Sequence, residues 1–219
     1  MNAKDMFKST IMTKFMAIIL ALLIYSFAGG HKVVLTVLGV LALILFLCYS
    51  FRVGMALGHE SAGVSANIGD IIEGNGNDDQ VDKEMYAMAW SWGNGIKGFF
   101  AGSVIGYALN CAYIICMKLV PDTAVCIITR IIAWMISLPY WLILNTKHTV
   151  FNSLSTDIII MLMAGPFVIP LAQFLGYLMG PKLWQRTERA MAQGKRRAKA
   201  RSRVMKKKQP QKRQKGPEI

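Results

Sequence analysis

Four long apolar runs constrain this chain more than any other feature of its sequence. They cover residues 12–28, 33–51, 98–117 and 158–180. A bilayer core about 30 Å thick is crossed by about 20 mostly apolar residues in a helix. A segment in lipid must also satisfy its backbone hydrogen bonds internally, which favours helices. Only 17% of the residues are charged, against about 25% in soluble proteins. The sequence therefore predicts an all-α, polytopic transmembrane helical bundle.

A fifth apolar run, residues 124–143, is interrupted by Arg130 and Pro139. A charged side chain at the centre of a transmembrane helix costs about 2.5–3.5 kcal/mol on insertion scales. Arg130, Trp134 and Trp141 share one helical face, and such a face suits the headgroup region of a bilayer. We therefore expect an interfacial or re-entrant helix here, with a fifth span as the alternative.

The distribution of basic residues favours four spans. With both termini in the cytosol, the cytosolic segments carry 21 of the 25 Lys and Arg residues, as the positive-inside rule requires. Five spans would move the N-terminus and the segment between the second and third runs to the outside. We therefore predict a transmembrane domain over residues 1–181, containing a polar loop at 52–96, and a basic cytosolic tail over residues 182–219.

The tail holds the strongest charge signal in the sequence. Its 15 Lys and Arg residues outnumber its two acids and account for the whole net charge of +13. Pro181 is expected to end the fourth transmembrane helix, and residues 185–208 favour a further helix by composition. The densest part of the tail consists of Lys195, Arg196, Arg197, Lys199, Arg201, Arg203, Lys206, Lys207 and Lys208.

Two kinds of polyanion suit this block. Anionic lipid headgroups attract a basic segment beside a span by about 1 kcal/mol per residue, so we predict that they are its partner. The alternative is RNA, including ribosomal RNA, bound through its phosphates. No aromatic residue follows Trp184, so base stacking is not supported and an RNA contact is expected to be nonspecific.

Small residues recur at four-residue spacing in the last two runs. They are Gly98, Gly102 and Gly106 in the third run, and Ala172, Gly176 and Gly180 in the fourth. Such faces let helices approach closely. We expect them to pack within the monomer, with homo-oligomerisation as the alternative. Asn110, within the third run, is expected to form an interhelical hydrogen bond; lining a polar path is its alternative role.

No pattern of catalytic or metal-binding residues accompanies these features. The sequence contains no P-loop, nucleophile elbow or H-E-x-x-H motif. Its four cysteines lie within apolar runs and have no C-x-x-C spacing. We therefore expect no cofactor, no metal and no enzymatic activity. The leading hypothesis is a noncatalytic membrane scaffold or accessory protein. The alternatives are a small-solute transporter or channel subunit, and an assembly factor that recruits ribosomes.

Several short segments resemble a family of uncharacterised small multi-span proteins from Gram-positive, clostridia-like bacteria. They are the N-terminal Met1-Asn2-Ala3-Lys4-Asp5 with its hairpin, Lys97-Gly98 at the third run, Thr129-Arg130-Ile131-Ile132 with Pro139, and the Pro-containing last run with its basic end. The resemblance covers much of residues 1–185. It implies a location in a bacterial plasma membrane and no particular chemistry.

Overall fold

The structure, a computed structural model, describes residues 3–28, 31–75, 83–121, 123–144 and 154–208. This part of the chain forms six helices and no strand: α1 (Ala3–Phe27), α2 (Lys32–Asn75), α3 (Lys83–Met88), α4 (Trp92–Leu119), α5 (Ala124–Leu144) and α6 (Thr156–Lys208). Within the described residues, α1, α2, α4 and α6 are long and apolar enough to cross a membrane. The helical bundle with four candidate spans is therefore confirmed.

The first helix shows how lipid reverses the usual pattern of burial. Its buried positions are Met6, Thr10, Thr13, Ala17 and Ala21, which recur along one face at helical spacing. They are mostly small or hydroxylated, so neighbouring helices can pack closely against this face. Large apolar side chains point outward instead, among them Met12, Phe15 and Leu23. The arrangement suits a helix whose outer solvent is hydrocarbon.

Two clusters of buried side chains define the two ends of the bundle. At one end, Met6 near the start of α1 packs with Leu57, Phe99 and Tyr177. We call this the termini end, because α6 continues past it toward the C-terminus. At the opposite end, Ala28 and Leu35 of the α1–α2 turn belong to a cluster that also includes Leu138 of α5. Helices α2 and α6 therefore both run toward the termini end, as parallel neighbours.

Helix α5 enters the bundle instead of lying along its surface. Its Trp134 meets the ring of Tyr25, near the end of α1, with ring centroids 6.2 Å apart. One turn later Leu138 is fully buried against the cluster that contains Ala21. Helix α5 thus runs antiparallel to α1, away from the end that holds the α1–α2 turn. Residues 124–140 are thus a shorter apolar helix packed among the candidate spans.

The polar loop expected over residues 52–96 differs from the structure. Helix α2 continues to Asn75, and α3 follows within the same segment. Three glycines of this segment have a packing role. A Cβ at Gly54 or Gly58 would overlap the backbone of α6, and one at Gly63 would lie 3.1 Å from Nε1 of Trp184. The lack of a side chain at these positions allows α6 to pass close to α2, and α2 stays helical there.

Helix α6 also differs from expectation, because Pro181 does not end it. The helix continues to Lys208, which confirms the helix expected over residues 185–208. A proline inside a helix leaves the carbonyl four residues earlier without its usual donor. Here that carbonyl belongs to Tyr177, and Nε1 of Trp90 donates to it at 3.4 Å. Residues 209–219 lie outside the described part of the chain.

Candidate functional site

The closest helix contact joins α2 to α6 through glycines on both sides. A Cβ at Gly176 would overlap the Phe51 carbonyl oxygen, and a Cβ at Gly180 would overlap the backbone of Gly58. Gly54 has the same relation to Gln173. Only hydrogen at the glycine Cα fits such an approach. Gly176 and Gly180 therefore contact a helix of the same chain, while Ala172 beside them is half-buried.

The three glycines of α4 lie in different surroundings from one another. A Cβ at Gly98 would lie 2.6 Å from Cβ of Met6, so this position requires glycine for the α1–α4 contact. At Gly102 and Gly106 the nearest atoms to an added Cβ are 3.5 and 3.6 Å away, which is ordinary van der Waals contact. These two glycines instead help to form an open groove.

Asn110 satisfies a carbonyl that a proline has freed. Its Nδ2 donates to the Leu162 carbonyl oxygen on α6 at 2.6 Å. Leu162 lies four residues before Pro166, which has no N–H to return to it. The interhelical hydrogen bond expected for Asn110 is therefore formed, and it compensates for the proline in the neighbouring helix.

A buried polar cluster joins α1 to α6 near the termini end. Oγ1 of Thr10 donates to Oε1 of Gln173 at 2.7 Å, and Nε2 of Gln173 donates to Oγ1 of Thr13 at 3.2 Å. Thr10 and Gln173 are fully buried. Buried polar groups need such partners because hydrocarbon offers none. The cluster fixes the rotation of α1 against α6.

Lys14 lies one residue beyond this cluster and faces α4. Its Nζ donates to Oγ of Ser103 at 3.0 Å and to the Gly102 carbonyl oxygen at 3.4 Å. The side chain is only partly exposed. Within the described part of the chain, no carboxylate forms an ion pair with it. An ammonium has three donors, so one of them remains available in this position.

Lys14 forms part of the wall of a groove between α1 and α4. The groove has a volume of about 270 Å³. Apart from Lys14, its walls are almost entirely apolar: Ile11, Phe15 and Ile18 from α1; Gly102, Ile105, Gly106 and Leu109 from α4; Ile136, Pro139 and Tyr140 from α5; and Ile169 from α6. It is therefore an apolar groove that contains a single cation.

Arg130 lies in the first half of α5 and is half-buried. Its neighbour Ala133, less than one turn further on, packs against Tyr113 and Ile158 at the end opposite the termini. Arg130 thus lies apart from Lys14 and from the groove, and near the end of the bundle at which α5 begins.

The basic part of α6 is exposed as far as its side chains are described. Every residue from 185 to 199 is exposed, including Lys195, Arg196, Arg197 and Lys199. Arg201, Arg203, Lys206, Lys207 and Lys208 continue the same helix, and their side chains lie outside the described part. The bundle thus carries a charged helix at its termini end.

The sequence did not identify the Lys14 groove or the Gln173 cluster as sites. Lys14 stands near the start of an apolar run, where it resembled a residue that reaches toward the headgroups. Its partner Ser103 and most of the groove wall come from helices far along the chain. A signal was nevertheless present, because Gln173 and Lys14 are polar residues within apolar runs, where such residues are costly.

Comparison with protein-family models found no matching family, and comparisons with curated proteins and with solved structures found no similar protein. The fold and its apolar outer surface define the chain as a multi-pass helical membrane protein.

Proposed function

We propose that this chain is a noncatalytic membrane scaffold or accessory protein that presents a basic helix to anionic lipid. In this proposal it resides in a bacterial plasma membrane with both termini in the cytosol. The observation that carries the proposal is the continuation of α6 from a candidate span into an exposed basic segment. Seven bases and one acid, Glu188, occur between residues 182 and 199. Bases next to a bilayer are attracted to anionic headgroups.

The packing of α6 supports this role. Its membrane part is held against α2 by Gly176 and Gly180 and against α1 by Gln173. A firmly held span fixes the point at which the basic segment leaves the bilayer. The side chains from Gln185 to Lys199 are exposed, so this part of α6 presents its bases at the surface.

Energy transfer from a dye on α6 to dyes on lipid headgroups tests the proposal. The dye is attached at Gln193→Cys in the full chain, with the four native cysteines replaced, in nanodiscs of phosphatidylcholine. We expect transfer to rise when phosphatidylglycerol is added and to fall in 0.5 M salt, because screening weakens surface attraction. Replacing Lys195, Arg196 and Arg197 by Gln should remove the rise.

The matched control replaces Ala190, Ala192 and Ala198 by Gln, which changes the same helix without changing its charge. This control should behave like the unmodified chain. Transfer that is the same with and without phosphatidylglycerol would contradict the proposal.

A second candidate partner is RNA, and the length of α6 favours it. The residues from Gln185 to Lys208 extend about 36 Å at 1.5 Å per residue. Electrostatic attraction to a surface decays over about 8 Å at physiological salt. A helix that keeps its direction would carry its last bases beyond that range. Added RNA should then bind the nanodiscs in a salt-sensitive manner. The energy transfer to the headgroup dyes should be the same with and without phosphatidylglycerol.

A further inference from the structure

The groove between α1 and α4 opens toward the surroundings of the bundle. Three residues of its walls are strongly exposed: Ile11 by 43%, Phe15 by 57% and Ile105 by 57%. Around the candidate spans those surroundings are hydrocarbon. A molecule already in the bilayer can therefore enter the groove sideways.

The groove has a polar part and an apolar part, and their positions along the bundle differ. Lys14 lies one residue from Thr13, which bonds to Gln173 near the termini end. Ile136, Pro139 and Ile169 form the other part, and Pro139 and Ile169 also line a small gap beside Ala17 and Ala21. The groove thus runs from the cation toward the middle of the spans.

We propose that this groove binds one acyl chain of an anionic phospholipid, whose phosphate takes the remaining donor of the Lys14 ammonium. An ammonium among apolar side chains is costly without an anion. A phospholipid in the leaflet at the termini end would place its phosphate beside Lys14 and its acyl chain along the apolar part of the groove. Net negative charge distinguishes this ligand from phosphatidylcholine, whose own ammonium competes for the phosphate.

Gly102 and Gly106 leave the space that the acyl chain would occupy. An added Cβ at Gly102 or Gly106 would meet only ordinary contacts, so helix packing does not explain their small size. A larger side chain at either position would occupy the groove itself. The Gly102 carbonyl oxygen also accepts a hydrogen bond from Lys14.

Photo-crosslinking tests the proposal. The full chain is placed in phosphatidylcholine nanodiscs with a phosphatidylglycerol that carries a diazirine halfway along one acyl chain. We expect saturable adducts on α4 and α5 residues of the groove, located by peptide mass spectrometry. Lys14→Met should reduce them by about fivefold or more, as expected for losing one base beside a phosphate. Lys14→Arg should retain most of them.

Matched variants distinguish a loss of lipid binding from a loss of the folded structure. Lys8→Met removes an exposed base of the same helix and should leave the adducts unchanged. Gly106→Leu should abolish them, whereas Ala108→Leu, on the exposed side of α4, should not. Neutralising the basic part of α6 should also leave them unchanged, so this result is independent of the proposed tail function.

Two outcomes would overturn the proposal. One is equal labelling of the groove by the corresponding phosphatidylcholine probe, which would show no preference for an anionic headgroup. The other is undiminished labelling in Lys14→Met. Since Lys14→Met keeps a straight apolar side chain of similar length, it tests the charge without relying on Gly106→Leu remaining folded.

Discussion

Replacing Gly54 by alanine should destabilise the bundle, although alanine is the better helix former. The added Cβ would lie 2.6 Å from the carbonyl carbon and 2.8 Å from Cα of Gln173, whereas real Cβ atoms essentially never come within 3.0 Å. Because these are backbone atoms, α2 and α6 must separate. Overpacking of this kind costs about 1–3 kcal/mol, and helix propensity returns at most about 1 kcal/mol. We expect a net loss of about 1–2 kcal/mol in the free energy of unfolding.

Gly69→Ala is the matched control, because it makes the same chemical change on the same helix with nothing within 4 Å of the added Cβ. It should stabilise α2 by up to about 1 kcal/mol. Both free energies can be measured by reversible unfolding in mixed detergent micelles, followed by circular dichroism. Equal effects of the two substitutions would refute the close packing of α2 on α6.

Two further predictions concern the proline in α6 and the ends of the bundle. Asn110→Ala should lower the free energy of unfolding by about 1 kcal/mol. This loss should be smaller in a Pro166→Ala background, because residue 166 can then donate to the Leu162 carbonyl oxygen. Equal losses in both backgrounds would contradict the role given to Asn110. A membrane-impermeant thiol reagent should reach Lys8→Cys from one side of the membrane only and His31→Cys from the opposite side only, in a chain with its native cysteines replaced. Labelling of both from one side would contradict the course of α1.

The four long apolar helices could be predicted because the sequence of each one is enough to indicate it. Each apolar run is long enough to cross a bilayer, and lipid leaves the backbone no alternative to a helix. The position of Asn110 inside a run likewise indicated a hydrogen bond to another helix. Its acceptor, the carbonyl of Leu162, could have been inferred only by pairing Asn110 with the distant Pro166.

The departures from prediction share one physical origin. A polar segment rich in Gly, Asn and Asp after Phe51 suggested a loop, and Pro181 suggested a helix end, because these residue types are poor helix formers in isolation. In the folded chain Gly54 and Gly58 lie against the backbone of α6, and Trp90 supplies the donor that Pro181 lacks. Tertiary contacts therefore outweigh local helix preference, and the sequence of neither segment alone indicates those contacts.

The parallel contact of α2 with α6 also has a consequence for biogenesis. Gly54 and Gln173 are separated by more than a hundred residues, so α2 emerges from the ribosome long before the helix that covers it. During that interval its glycine face is open to any helix nearby. Insertion of α6 then covers this face and completes the α2–α6 contact.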